Sequence, residues 1–105
     1  MEESYIRDAD MNLARIPEGV SLEQAVMVPG MMCTAFEGVR QLGLEFGASV
    51  AVLGIGPVGL MGVRAAVRHG AGNVLAVGSR RPCFAVAQEF GATHRMDSHA
   101  AGYLD

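Results

Sequence analysis

Residues 51–70, AVLGIGPVGLMGVRAAVRHG, place Gly54, Gly56 and Gly59 between an apolar run and a helical pattern. Glycine inside regular structure costs about 0.5–1 kcal/mol relative to alanine, so three glycines in so short a span mark a place where side chains would obstruct something. Residues 49–56 (SVAVLGIG) are β-branched and apolar, too few for a helix and bounded by glycines. That is the pattern of a strand covered on both faces in a parallel sheet. Residues 57–69 then carry apolar side chains at helical spacing, with Pro57 in the first turn, where its missing N–H is not needed.

The same rhythm continues downstream. Residues 73–77 (NVLAV) read as a second buried strand, and residues 82–90 (PCFAVAQEF) as a second helix with proline near its start. Gly91-Ala92-Thr93 ends that helix, and residues 94–96 begin a third strand. Strand, helix, strand, helix is the βαβ alternation. The expected fold class is α/β: a partial Rossmann arrangement, part of a doubly wound parallel sheet, preceded by a connector and helices.

Upstream of the decisive stretch, residues 1–20 are weakly patterned and read as a connector, with a short strand at 4–7 and a turn at Pro17-Glu18-Gly19. Residues 21–105 read as the N-terminal part of a nucleotide-binding domain. Ser21 followed by Gln24 is a capping-box arrangement, in which each side chain satisfies the other residue's backbone N–H. Pro29-Gly30 is expected to interrupt that helix. The pattern resumes over 31–42, where Met32, Ala35, Phe36, Val39 and Leu42 build one apolar face and the methionines serve as core filler.

Composition narrows the function classes. The chain has 105 residues, half of them apolar, enough for one modest core. The net charge is -3, with eight arginines scattered among eleven acids, so there is no basic stripe to serve a nucleic acid. The N-terminus is acidic and lacks the basic and apolar regions of a secretory signal, which makes the cytoplasm the expected compartment. Gly, Arg and His interrupt every apolar stretch before it reaches the ~20 residues of a membrane span. Cys33 and Cys83 have neither zinc-site spacing nor disulfide density and are expected to be buried thiols. His69, His94 and His99 form no metal-binding spacing with any Cys, Asp or Glu, and His69 suits the C-terminal end of a helix.

Residues 54–59 fit G-x-G-x-x-G. In such a motif Gly54 makes the tight turn out of the strand, Gly56 lets the main chain approach a pyrophosphate, and Gly59 lets the helix close onto the strand. The helix N-terminus, with its free N–H groups and partial positive charge, suits a diphosphate. Packing alone also produces glycine-rich strand ends. The strand before, the helix after and the βαβ setting favour a dinucleotide, and Gly54, Ile55, Gly56, Pro57, Val58 and Gly59 are the candidate binding residues.

An NAD-preferring protein places an acid at the end of the second strand, about 20 residues on. Here Gly78-Ser79-Arg80-Arg81 follows Val77 instead. A guanidinium and a hydroxyl can hold a 2′-phosphate that a carboxylate would repel, so Gly78, Ser79 and Arg80 point to NADP. The alternative is that both arginines belong to a solvated turn.

The blocks DADMNLARIP (8–17), LEQAVMVPGMM (22–32), VAVLGIGPVGLMGV (50–63) and AVGSR (76–80), in that order, resemble the zinc-dependent medium-chain alcohol dehydrogenases, most closely their NADP-dependent secondary-alcohol branch. The resemblance implies that Ile55, Gly56, Pro57 and Val58 line the pyrophosphate and that Gly78, Ser79 and Arg80 hold the 2′-phosphate. It also implies a longer enzyme, with a GroES-like catalytic domain before residue 1 and the rest of the Rossmann sheet after residue 105. Such an enzyme transfers hydride between a secondary alcohol or ketone and NADP. This chain carries cofactor residues but no catalytic residue and no metal ligand.

The sequence departs from the family pattern at two places. Gly30 stands where the family carries an aspartate that binds zinc, and glycine offers no side-chain ligand. At Ser98-His99 the family carries a tyrosine near the adenosine phosphate, and Ser98 or Arg81 are the candidates to replace it. Thr34 lies, by the same resemblance, near the nicotinamide; an ordinary helical threonine is the competing reading. Two other function classes stay open: a non-catalytic dinucleotide-binding module or remnant, and a zinc-free quinone-type reductase of the same superfamily. A partial sheet also leaves an open edge at its last strand, which predicts marginal stability or a homo-oligomer formed through that edge.

Overall fold

The computed structural model describes residues 4–100, so the outer ends of the expected connector and domain, 1–3 and 101–105, lie outside the described residues. In chain order the elements are α1 (Ala9–Asn12), α2 (Leu22–Met27), a π-helical segment (Val28–Met32), α3 (Cys33–Gln41), β1 (Ser49–Leu53), α4 (Pro57–Arg68), β2 (Asn73–Gly78), α5 (Arg81–Glu89) and β3 (His94–Asp97). The three strands form one parallel sheet in the order β1-β2-β3, with Val50 beside Val74, Val52 beside Ala76 and Val77 beside Met96. This is the α/β, parallel-sheet class that the alternating periodicity predicts.

The N-terminal third follows local rules. Ser21 Oγ accepts the Gln24 N–H at 3.2 Å while Gln24 Oε1 accepts the Ser21 N–H at 3.0 Å, which completes the capping box. The turn at Pro17-Glu18-Gly19 closes through the Val20 N–H and the Pro17 carbonyl at 3.3 Å, with Gly19 at φ 84°. The strand expected at 4–7 does not form: these residues are irregular and exposed, with Tyr5 open to solvent. A strand without a partner has no ladder to hold it.

Pro29-Gly30 does not break the helix, contrary to the sequence expectation. Proline lacks an N–H, and its ring collides with the carbonyl four residues back. The chain widens into a π-helix instead, with the Cys33 N–H bonded to the Val28 carbonyl, and runs on into α3.

Ala35 and Val39 are the buried residues of α3, and α3 packs on α4. Phe36 meets His69 edge to face at 6.2 Å. Leu42, expected on this face, stands at the C-cap and is 63% exposed. Cys33 is also exposed rather than buried, because two residues before Ala35 it points to the opposite side of the helix. On the solvent side the Glu37 carboxyl, hydrogen-bonded by Arg40 and Gln41, titrates at about 2 instead of 4.5.

The core lies on one face of the sheet. Val63 and Ala66 of α4, Phe84 and Ala87 of α5, and Val74 and Ala76 of β2 form a single buried cluster, with Val50 and Val52 of β1 packed against it. Since Val50 and Val52 sit beside Val74 and Ala76, both helices cover the same side. β2 is buried along most of its length, but the reverse side of β1 is not covered: Ser49, Ala51 and Leu53 are exposed, Leu53 at 72%. The expectation of cover on both faces therefore holds for β2 and fails for β1, because no helix of the described residues is placed against that side of the strand. No helix of the described residues is long and apolar enough to cross a membrane.

Side chains pin the strand ends. Asn73 Nδ2 donates to Ser49 Oγ at 3.2 Å, and Thr93 Oγ1 accepts the Val74 N–H at 2.8 Å. At the C-cap of α4, His69 Nδ1 donates to the Ala65 carbonyl at 2.8 Å.

The junction of β1 with α4 has the strictest geometry in the molecule. Gly54 turns out of the strand at φ 89°, a left-handed value that favours glycine. A Cβ on Gly59 would lie 2.7 Å from the Gly54 carbonyl carbon and closer still to its oxygen. Backbone is the obstacle, so no rotamer change can relieve it. Gly59→Ala is therefore expected to destabilise the chain by at least about 3 kcal/mol, read as a drop in urea midpoint. An unchanged midpoint would refute this packing.

Candidate functional site

The C-terminal ends of β1 and β2 open into a groove of about 420 Å³, within the range of small-molecule sites. One wall is the β1–α4 turn, with Gly54, Ile55, Gly56 and Pro57; the other is the end of β2, with Val77, Gly78, Ser79 and Arg80. Cys83 from the first turn of α5 and Ser98 from beyond β3 complete it. Of the nine residues proposed from sequence, Gly54, Ile55, Gly56, Pro57, Gly78, Ser79 and Arg80 line this one space. Val58 and Gly59 do not: Val58 faces solvent from α4, and Gly59 is pressed against Gly54.

The glycines around the groove have different causes. A Cβ on Gly78 would collide with Ile55 Cγ1, and Ile55 is only 4% exposed, so core packing accounts for that glycine. Gly56 is different. It is the N-cap of α4 with an ordinary extended backbone, and a Cβ there would meet nothing within 4 Å. The protein's own packing makes no demand for glycine at residue 56. The position faces the groove at the start of α4, where the first helical N–H groups have no intrahelical partner.

The charge pattern is one-signed: Arg80 lines the groove, and none of the ten lining residues is acidic. Arg81 belongs to a separate cleft with Phe84, Arg95 and Asp97, so the structure divides the two neighbouring arginines. Ser98 is held at the groove by its N–H bonded to the Gly78 carbonyl at 2.8 Å. Of the two candidates to replace the family's tyrosine, it is Ser98 that shares the space with Arg80. Sequence reasoning missed Val77 and Cys83. Cys83 falls three residues after Arg80, inside the first turn of a helix that starts at the groove, and that offset was the available signal. Thr34 is exposed on α3 and does not line the groove.

The groove suits an anionic dinucleotide: a turn free of side chains at Gly56, a helix start, hydroxyls at Ser79 and Ser98, and one guanidinium. Zinc does not fit. No group of three His, Cys, Asp or Glu among the described residues could hold a metal ion. Gly30 contributes no donor, Cys33 lies exposed on α3, and His94 is engaged with Thr93 Oγ1 at 2.9 Å.

No protein-family profile matches the chain. The NADP-dependent isopropanol dehydrogenase of Thermoanaerobacter brockii is 55% identical over 89 residues, 85% of this chain and 25% of that protein. The alcohol dehydrogenase TADH from Thermus sp. ATN1 superposes with a TM-score of 0.77 at 34% identity, covering 86% of this chain and 26% of that one. A quinone oxidoreductase from Thermus thermophilus, solved also in complex with NADPH, superposes with a TM-score of 0.71 at 30% identity, covering 78% and 28%. The chain thus spans about a quarter of the length of the curated relatives it matches. With that identity to one such dehydrogenase and the same backbone path as another, the chain corresponds to about a quarter of a protein of the medium-chain alcohol dehydrogenase family and is similar, within it, to enzymes named NADP-dependent isopropanol dehydrogenase.

Proposed function

We propose that this chain is the NADP-binding portion of an alcohol dehydrogenase that transfers hydride between a small secondary alcohol or ketone and NADP. The observation that carries the reading is Gly56, a glycine that intramolecular packing does not require, set in the groove at the start of α4. The relative from Thermoanaerobacter brockii, named for NADP and isopropanol, supports the choice of cofactor and substrate class. In this reading residues 1–20 are the connector and 21–105 the first part of the Rossmann domain. The exposed apolar side chains of the connector, Tyr5, Met11 and Leu13 among them, support a segment that packs elsewhere.

The division of labour follows from the groove. The main chain at Gly54, Ile55 and Gly56, with Pro57 and the amides of Val58 and Gly59 at the helix start, receives the pyrophosphate. Ile55 contributes backbone only, since its side chain fills the core beneath Gly78. Gly78, Ser79 and Arg80 receive the 2′-phosphate, with charge-assisted bonds from the guanidinium. The bound nicotinamide supplies the hydride acceptor and donor. This chain's residues bind and orient it; none is placed to hold the alcohol or to move its proton, so the isolated chain is expected to bind cofactor without turnover. A cytoplasmic location and self-association complete the proposal.

A second reading, a zinc-free reductase of the same superfamily or a non-catalytic nucleotide-binding module, is favoured by Gly30 and by the likeness to the quinone oxidoreductase. The residues of the groove serve either equally.

Three measurements test the proposal. Gly56→Ala is expected to change unfolding free energy by less than about 1 kcal/mol while weakening NADPH binding at least tenfold. Equal affinity in titration would remove the ligand-based reason for that glycine. Arg80→Ala should cost NADPH about 1.5–3 kcal/mol, the range of hydrogen bonds to charged groups, and leave NADH unchanged; equal losses would exclude the 2′-phosphate assignment. Metal analysis of the purified chain after dialysis should find zinc well below one ion per chain, and a stoichiometric ion would overturn the reading of Gly30.

A further inference from the structure

We propose that the Ser98 hydroxyl donates directly to the 2′-phosphate of NADP and so joins Ser79 and Arg80 in setting the preference for NADP over NAD. The inference rests on the cofactor reading above and adds to it a specificity residue from beyond β3.

The register of the sheet brings Ser98 to the site. Gly78 and Asp97 are partners at the ends of two parallel strands, so the residues that follow them, Ser79 and Ser98, emerge at the same end of the sheet, and both line the groove with Arg80. The Ser98 N–H donates to the Gly78 carbonyl at 2.8 Å, which ties it to the residue just before Ser79. Two further bonds close the turn behind it. The His99 N–H donates to Asp97 Oδ1 at 2.9 Å, and the Ala100 N–H donates to the Asp97 carbonyl at 3.0 Å. All three bonds are made by main chain or by Asp97. They fix residue 98 and ask nothing of its side chain, so the turn itself does not account for a hydroxyl at this position.

The same turn decides where the neighbouring acid goes. A carboxylate in the groove would repel a phosphate, and Asp97 stands one residue from Ser98. Its carboxylate instead accepts the His99 N–H, and the residue lines the separate cleft of Arg81, Phe84 and Arg95. The groove keeps two hydroxyls and a guanidinium, supplied from two adjacent strand ends, with no acid among them. A phosphate monoester offers three terminal oxygens to such a set, and hydrogen bonds to a charged oxygen are shorter and stronger than neutral ones. NAD presents only a neutral ribose hydroxyl there, and gains less.

Titration of the purified chain with NADPH and with NADH tests the contact. Ser98→Ala should weaken NADPH binding about ten- to hundredfold, the loss of a hydrogen bond to a charged group, and leave NADH unchanged. Ser98→Asp should weaken NADPH further and keep NADH, because a carboxylate repels the phosphate yet accepts a bond from a ribose hydroxyl. In an Arg80→Ala background Ser98→Ala should cost less than it does alone, since two side chains that hold one group are coupled. Circular dichroism and the urea midpoint should stay those of the parent chain; a variant that loses its fold contradicts the independence of the turn from this side chain and overturns the assignment. If Ser98→Ala and Ser98→Asp leave NADPH affinity intact while Arg80→Ala lowers it, the role of Ser98 falls and the cofactor reading stands. Equal losses for NADPH and NADH, or losses at Ser98 and Arg80 that simply add, also overturn the contact. A chain that binds NADPH no more tightly than NADH, or that Arg80→Ala does not affect, sinks the cofactor reading and this contact together.

Discussion

The rest of the structure depends on how closely α4 can approach β1. The Gly59 main chain sits against the Gly54 carbonyl with no room for a Cβ, and that contact sets where the helix starts, how it lies on the sheet and where the groove opens. A Cβ at Gly59 or at Gly62 would stand 3.8 Å from Val52 Cγ1, an ordinary contact, so the strand's inward side chain runs alongside this face of the helix and the obstacle at Gly59 is the Gly54 main chain alone. Further along the helix Val63, Ala65 and Ala66 are completely buried. Small residues on the inner face of α4 extend the close approach that Gly59 begins, and the groove inherits its position from that packing.

The groove itself is built from main chain more than from side chains. Ile55 and Gly78 illustrate why: the isoleucine points inward and fills the volume a side chain at residue 78 would need. The end of β2 therefore stays bare without any ligand's help. Gly56 is bare for no internal reason, which separates a glycine that the fold requires from one that the fold merely permits. With a bare main chain at the helix start and a single guanidinium along the groove, its recognition suits anions that carry phosphate.

Among the described residues, β1 is covered on one side only. α4 and α5 both lie over Val50, Val52, Val74 and Ala76, and the reverse of β1 stays exposed. Strand β3 resists the same exposure with charge, while β1 has none to offer. The difference between the two strands is one of composition: β1 carries the uncharged, β-branched sequence suited to the middle of a sheet, and β3 does not.

Read alone, the sequence determined the elements that depend on neighbours a few residues apart. The capping box at Ser21 and Gln24, the turn at Gly19, the strand–glycine–helix passage at 49–59 and the alternation that follows are local, and local sterics and hydrogen bonding specify them. It also pointed to Gly56 and Arg80 through spacing. Only the tertiary structure decided what requires distant partners. It showed that Pro29-Gly30 is absorbed in a π-helix, that residues 4–7 lack a strand to pair with, and that Leu42 and Cys33 face outward. It also showed that Arg80 and Arg81 part into different clefts, that Ser98 reaches the groove, and that β1 is covered on one side. The physical reason is common to these: burial, pairing and the direction of a side chain depend on what stands opposite, and periodicity along the chain records only that something should.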